Sequence, residues 1–146
     1  MTTVEDVVSS ENMQQAWQRV KANKGAPGID DMSITDYPAF ARANWPRVKA
    51  ALLDGSYNPA PVKRVEIPKD SGGTRPLGIP TVSDRVIQQA IARALGPVFD
   101  PHFSESSYGF RPGRSAHQAV KKVVDLLNRG YRYSVDIDLA KFFDTV

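Results

Sequence analysis

Asp136 and Asp138 stand two residues apart in the run Tyr133-Ser134-Val135-Asp136-Ile137-Asp138, and Asp144 follows six residues after Asp138. On a strand, side chains two apart leave the same face, with Cα atoms roughly 7 Å apart. Carboxylates so placed offer the hard oxygen donors that Mg²⁺ takes one or two at a time beside phosphate oxygens. Two such ions about 4 Å apart clamp the attacking and leaving oxygens of a phosphoryl transfer. An isolated Asp-x-Asp is also what strand ends and helix caps use, and it matches a motif of metal-dependent glycosyltransferases, although nothing else in the sequence builds a nucleotide-sugar pocket. A second set of groups is cationic. Lys69 and Arg75 flank Asp70-Ser71-Gly72-Gly73, pairing a mobile point charge with a bidentate fork, which together suit a triphosphate. The glycines would let that tip close over a nucleotide; the plainer reading is an exposed, solubilising turn.

These groups need elements to hold them. Met13, Ala16, Trp17 and Val20 recur with the spacing of an amphipathic helix, which Asn23-Lys24-Gly25 stops, and residues 25–31 read as a loop. A second helical region spans about 36–53. Pro46 kinks it or divides it in two, with Asn44 capping the second piece, and Gly55 ends it. Residues 62–68 form a strand in which Val65 and Ile67 alternate with charged neighbours, the Asp-Ser-Gly-Gly turn follows, and 75–79 return as its hairpin partner. Val86, Ile87, Ala90, Ile91, Ala94 and Leu95 mark a helix that Ser83 caps and Gly96-Pro97 ends. Ser115-Ala116-His117-Gln118 is a capping box opening a helix with the stripe Ala119, Val120, Val123, Val124 and Leu127, and Gly130 lies at its C′ position. Residues 133–138 alternate as a strand with a carboxylate face. The order predicts an α+β fold, cut short after an apolar strand whose unpaired edge could also pair with a second copy as a homodimer.

Composition narrows the function classes. An apolar share of 41% with 24% charged residues is that of a folded soluble domain. No apolar run approaches the roughly 20 residues that span a bilayer, and the acidic start Met1-Thr2-Thr3-Val4-Glu5-Asp6 has the wrong chemistry for a signal peptide, so a cytoplasmic protein without membrane contact is expected. The absence of cysteine excludes disulfides and thiolate zinc sites. His102 and His117 lie in separate segments without close metal-ligand partners and read as structural. A net charge of +3 favours an anionic partner only mildly. Placement says more: Lys63, Arg64, Lys69 and Arg75 cluster, as do Arg111 and Arg114, near Tyr57, Tyr108 and Phe110. Basic residues in such loops with aromatics beside them suit a nucleic-acid surface.

Four segments, in order, carry a specific resemblance. Asn23 to Asp30 is similar to the N-terminal extension loop of group II intron-encoded reverse transcriptases. Arg64 to Lys69 with Gly73 to Pro80 resembles their first conserved block, and Phe103 to Ser115, through Tyr108-Gly109-Phe110-Arg111-Pro112-Gly113-Arg114, the second. Val135 to Asp138 with Phe143-Asp144 resembles the third. The resemblance implies polymerase fingers over residues 1–80, with the loop and hairpin, and the start of a palm over 81–146. It implies RNA-directed DNA synthesis with Mg²⁺, an RNA template and primer, dNTP, and assistance to splicing of a group II intron RNA. Asp138 would be the catalytic, metal-binding aspartate, with the Leu139 carbonyl as a further ligand. The resemblance selects Asp138 over Asp136, which is left as a neighbouring or ion-pairing group. Lys69 and Arg75 would hold the triphosphate, and Phe143 would lie under the sugar and exclude a 2′-OH. Asn23, Gly25, Ala26 and Gly28 would meet the template backbone, with Arg111 and Arg114 supporting the template or palm. No Tyr-x-Asp-Asp occurs; the one Asp-Asp pair, Asp30-Asp31, lies in an early turn. The 146 residues therefore read as half of an active site, inactive alone. A stand-alone RNA-binding module and a CRISPR-associated reverse transcriptase are the alternatives.

Overall fold

Small side chains let two helices of the first unit approach closely. In a computed structural model that describes residues 2–70 and 72–139, helices α2 (Ser10–Ala22) and α4 (Val82–Phe99) pack through Ala16 and Ala90, both fully buried. Val20, Val82, Val86 and Tyr37 complete the core, with Met13, Trp17, Met32, Ile34 and Phe40 around it. The Trp17 and Tyr37 rings lie 4.8 Å apart. Polar groups lock the same pair of helices: the Asn12 amide donates to the carbonyls of Val7, at 2.9 Å, and Ala90, at 3.0 Å, and accepts from Arg93. A short helix α1 (Val4–Val7), closed by a Thr3–Asp6 capping box, precedes them.

Helix α3 (Tyr37–Asp54) runs continuously through Pro46. Of the kink or division expected there, the division does not occur, since one proline removes one ladder bond. Nor does Asn44 cap a second piece: its side-chain amide donates to the Phe40 carbonyl at 2.9 Å. Gly55 ends the helix with φ 76°, a left-handed conformation that favours glycine. Strands β1 (Lys63–Pro68) and β2 (Thr74–Ile79) form the antiparallel hairpin, in the register Lys63↔Ile79, Val65↔Leu77, Ile67↔Arg75. The turn closes by hydrogen bonds from Lys69 N–H to the Gly73 carbonyl and from Gly72 N–H to the Lys69 carbonyl, both 3.0 Å. Ser71 lies outside the described residues.

Two features of α4 differ from expectation. Its cap is Thr81, whose Oγ1 accepts from Asp84 N–H at 3.1 Å, while Ser83 is already helical. The helix also continues past Gly96-Pro97 to Phe99, because Pro97 forfeits only its own donor and Asp100 N–H returns to the Gly96 carbonyl. A 3₁₀ turn, Asp100–His102, follows.

The chain divides into two compact units, 1–101 and 102–146. In the second, α5 (Ala116–Asn128) has the expected capping box: Gln118 N–H donates to Ser115 Oγ and Ser115 N–H to Gln118 Oε1. Gly130 follows its end with φ 95°. The stripe residues Val120, Val123, Val124 and Leu127 are exposed. The strand expected over 133–138 is not formed. A strand exists through its ladder, and among the described residues the only ladder joins β1 to β2; the edge expected to pair with a second copy is therefore not formed either. The observed class is α+β, helices with a two-stranded antiparallel sheet. Among the described residues no helix is long and apolar enough to cross a membrane.

Candidate nucleic-acid and nucleotide site

The hairpin sorts its side chains by face. Directly paired residues share a face, so Lys63, Val65 and Ile67 lie with Arg75, Leu77 and Ile79, and Arg64, Glu66 and Pro68 lie opposite. Arg75 thus sits at the outer end of an apolar strip whose Val65 and Leu77 are exposed, with exposed Lys69 just beyond. On the other face Arg64 pairs with Glu66 at 2.9 Å. Hydrogen bonds from Thr74 and then Arg64 hold the Glu66 carboxyl below its ordinary pKa. From base to end β1 advances roughly 17 Å, at about 3.3 Å per residue, which separates Lys69 and Arg75 from the hairpin's own base.

The 23–31 loop lies at the hairpin base. Asn23 is the exposed C-cap residue of α2, and Lys24 takes the left-handed turn with φ 48°. Gly25 lies against the Arg85 guanidinium, the movable end of a long side chain, which a Cβ there would have to displace. Arg85 Nη2 donates to the Ala26 carbonyl at 2.7 Å. Gly28 is buried, and a Cβ on it would stand 2.7 Å from both the N and the Cα of Thr81. Asp31 accepts from Lys63 at 2.8 Å, and the Asp30-Asp31 pair belongs to a turn in which Met32 N–H donates to Asp30 Oδ1. The loop expected from the sequence is therefore seated on the first turn of α4 and tied to β1.

Of the groups that make this seat the sequence singled out only Tyr57, as an aromatic beside basic residues, and its hydroxyl is committed to Asp84. Asp84, 3% exposed, accepts from Tyr57 Oη at 2.7 Å, Thr81 Oγ1 at 2.6 Å and Ala60 N–H at 3.3 Å. Burial first, and the bond to Asp84 second, push the Tyr57 phenol far above its ordinary pKa. Thr81-x-x-Asp84 is itself a capping-box pattern, so this part was legible; nothing local marks Arg85 or the bond from Tyr57 to Asp84.

In the second unit Arg111 Nη1 donates to the carbonyls of Ser104, at 2.9 Å, and Ser107, at 3.1 Å, and its guanidinium lies 5.3 Å from the Phe103 ring centroid. Arg114 donates to the Glu105 carbonyl at 3.2 Å and stands over Tyr108 at 5.6 Å. Both arginines spend donors on the 103–114 loop itself. Asp136 and Asp138 are exposed, and Asp138 Oδ1 accepts from its neighbour Leu139 N–H at 2.9 Å. Carboxylate and carbonyl oxygens are the donor type Mg²⁺ takes. Among the described residues, however, no three metal-binding side chains cluster; this holds for His102 and His117 too. Phe143 and Asp144 lie outside the described residues.

Residues 67–146 match the family model described as "Reverse transcriptase (RNA-dependent DNA polymerase)". The chain is 38% identical over 146 residues to "Protein YkfC" of Escherichia coli (strain K12), covering 96% of this chain and 38% of that protein. It is also 38% identical over 134 residues to "Group II intron-encoded protein LtrA" of Lactococcus lactis subsp. cremoris, covering 90% of this chain and 22% of that protein. Over 61 residues it is 38% identical to "Nuclear intron maturase 2, mitochondrial" of Arabidopsis thaliana, covering 42% of this chain and 8% of that protein. The chain spans well under half the length of each of these relatives. It belongs to the reverse transcriptase family, among the group II intron-encoded reverse transcriptases and maturases.

Proposed function

We propose that these 146 residues are the fingers (1–80) and the start of the palm (81–146) of a cytoplasmic RNA-directed DNA polymerase, whose full-length form also assists splicing of a group II intron RNA. The observation that carries this reading is the hairpin. It holds Arg75 at the end of an apolar strip with Lys69 beyond it, and the 23–31 loop is mounted at its base. A fork and a point charge there can bind a triphosphate, while the strip offers an apolar floor to a base. The exposed backbone around Asn23 and Ala26, with Gly25 and Gly28 keeping it close to α4, provides the surface for a template strand. Arg111 and Arg114 hold the 103–114 loop in shape and support the template side.

Asp138 and the Leu139 carbonyl would hold Mg²⁺, which when bound neutralises phosphate charge. Phe143 would lie under the sugar of the incoming nucleotide and exclude a 2′-OH. Of the carboxylates that would hold two ions these 146 residues supply Asp138 alone, so on this reading they bind nucleic acid without extending a primer.

The hairpin assignment is tested by Lys69→Ala and Arg75→Ala in the full-length protein. Removing a charge-assisted contact of about 1.5–3 kcal/mol should raise the KM for dNTP roughly 10- to 100-fold, with RNA affinity unchanged. An unchanged KM in both variants would remove these residues from the triphosphate site.

A further inference from the structure

Both feet of the hairpin and the 23–31 loop converge on one helical turn. Tyr57 and Ala60 stand before β1, and Thr81 follows β2 after one residue; all three bond the buried Asp84 carboxylate, at 2.7, 3.3 and 2.6 Å. The next residue, Arg85, holds the Ala26 carbonyl at 2.7 Å and occupies the space a side chain at Gly25 would need. Gly28 lies directly on the Thr81 backbone. The remaining tether, Lys63 to Asp31, has side chains 43% and 78% exposed, and a pair that exposed contributes little. The relation between loop and hairpin therefore rests on Thr81, Asp84 and Arg85. A buried carboxylate with three donors is a stiff joint, because any donor that leaves exposes an unmatched charge.

We propose that the first turn of α4 is a shared mount, in which Asp84 is the positioning residue for the 63–79 hairpin and Arg85 the positioning residue for the 23–31 loop. The consequence for activity rests on the reading above that the hairpin binds dNTP and the loop binds template. The mount itself does not depend on it.

The test is hydrogen exchange on the full-length protein and on three conservative variants, read beside primer-extension kinetics. Tyr57→Phe and Asp84→Asn each remove hydrogen bonds at the hairpin feet, and should speed amide exchange about tenfold over 63–79 while leaving 24–31 within about twofold. Arg85→Lys keeps the charge but loses the Nη2 donor that holds the Ala26 carbonyl, and should do the reverse. In extension assays the first two variants should raise the KM for dNTP, and Arg85→Lys should weaken RNA binding, with kcat held in each case. Exchange that rises equally in both segments, or in neither, overturns the shared mount, since a purely structural role loosens the unit as a whole. Segment-specific exchange without the matching kinetic split leaves the mount standing and counts against the template and nucleotide reading. A wild-type protein that extends no primer has the same meaning, and exchange still decides the mount.

Discussion

Asp138→Ala in the full-length protein is expected to cut primer-dependent DNA synthesis on an RNA template by at least ~10²-fold, since a metal ligand supports several kcal/mol of charge stabilisation. RNA affinity and the melting temperature should stay unchanged. Asp138 is exposed, and its one hydrogen bond among the described residues is to its own neighbour, Leu139. Its replacement therefore removes no core packing and leaves no orphaned buried partner, so a loss of synthesis reports chemistry rather than folding. Asp136→Ala is the internal comparison. Both carboxylates are exposed in the same segment, and the proposed metal role falls on Asp138 alone. Normal extension by Asp138→Ala, or an equal loss from Asp136→Ala, would contradict the assignment of that role to Asp138.

The second large effect concerns stability. Gly28→Ala places a Cβ 2.7 Å from Thr81 N and Cα and 2.9 Å from the Pro80 carbonyl carbon. Those are backbone atoms, fixed at the hairpin foot and the α4 cap, so the loop itself must lift. Overpacking of this kind costs about 1–3 kcal/mol, which for a unit of this size is a fall in Tm of roughly 4–20 °C. Gly96→Ala is the control: it lies within α4, has no atom within 4 Å of its added Cβ and is not among the positive-φ glycines. It should gain about 0.5–1 kcal/mol from reduced chain entropy. Thermal melting of the two variants separates a packing requirement from a general intolerance of substitution. Equal Tm values would show that the loop is not pressed against Thr81.

Much of this was legible because it is local. The Ser115–Gln118 box, the turn at Gly72-Gly73 and the alternation of Val65 and Ile67 each encode their structure within a few residues, and each formed as read. Proline is a weaker signal than its local chemistry suggests. Pro97 does not end α4, and of the two readings open at Pro46 the division of α3 does not occur, since each helix continues through the loss of one donor. Ser83, read from the sequence as the α4 cap, is already helical; Thr81 caps instead, its Oγ1 accepting from Asp84 N–H and donating to the Asp84 carboxylate.

The candidate site divides along the same line. Lys69 and Arg75 follow from a turn and its flanks. The seat beneath Gly25 and Gly28 joins residues 53 to 60 positions apart in sequence, and the Tyr57–Asp84 bond joins residues 27 apart. No periodicity reveals such contacts. The strand over 133–138 shows the converse limit, for alternation specifies a face but cannot supply the neighbouring strand that a ladder requires.

The central claim is that this chain holds an RNA template and a deoxynucleotide for DNA synthesis. It is tested most directly by primer extension on an RNA template with Mg²⁺, using the full-length protein and supplying dNTP or rNTP in parallel. DNA synthesis is expected from dNTP, little or none from rNTP, and none from a polypeptide of these 146 residues alone. RNA binding by the full-length protein without extension under any nucleotide condition would contradict it.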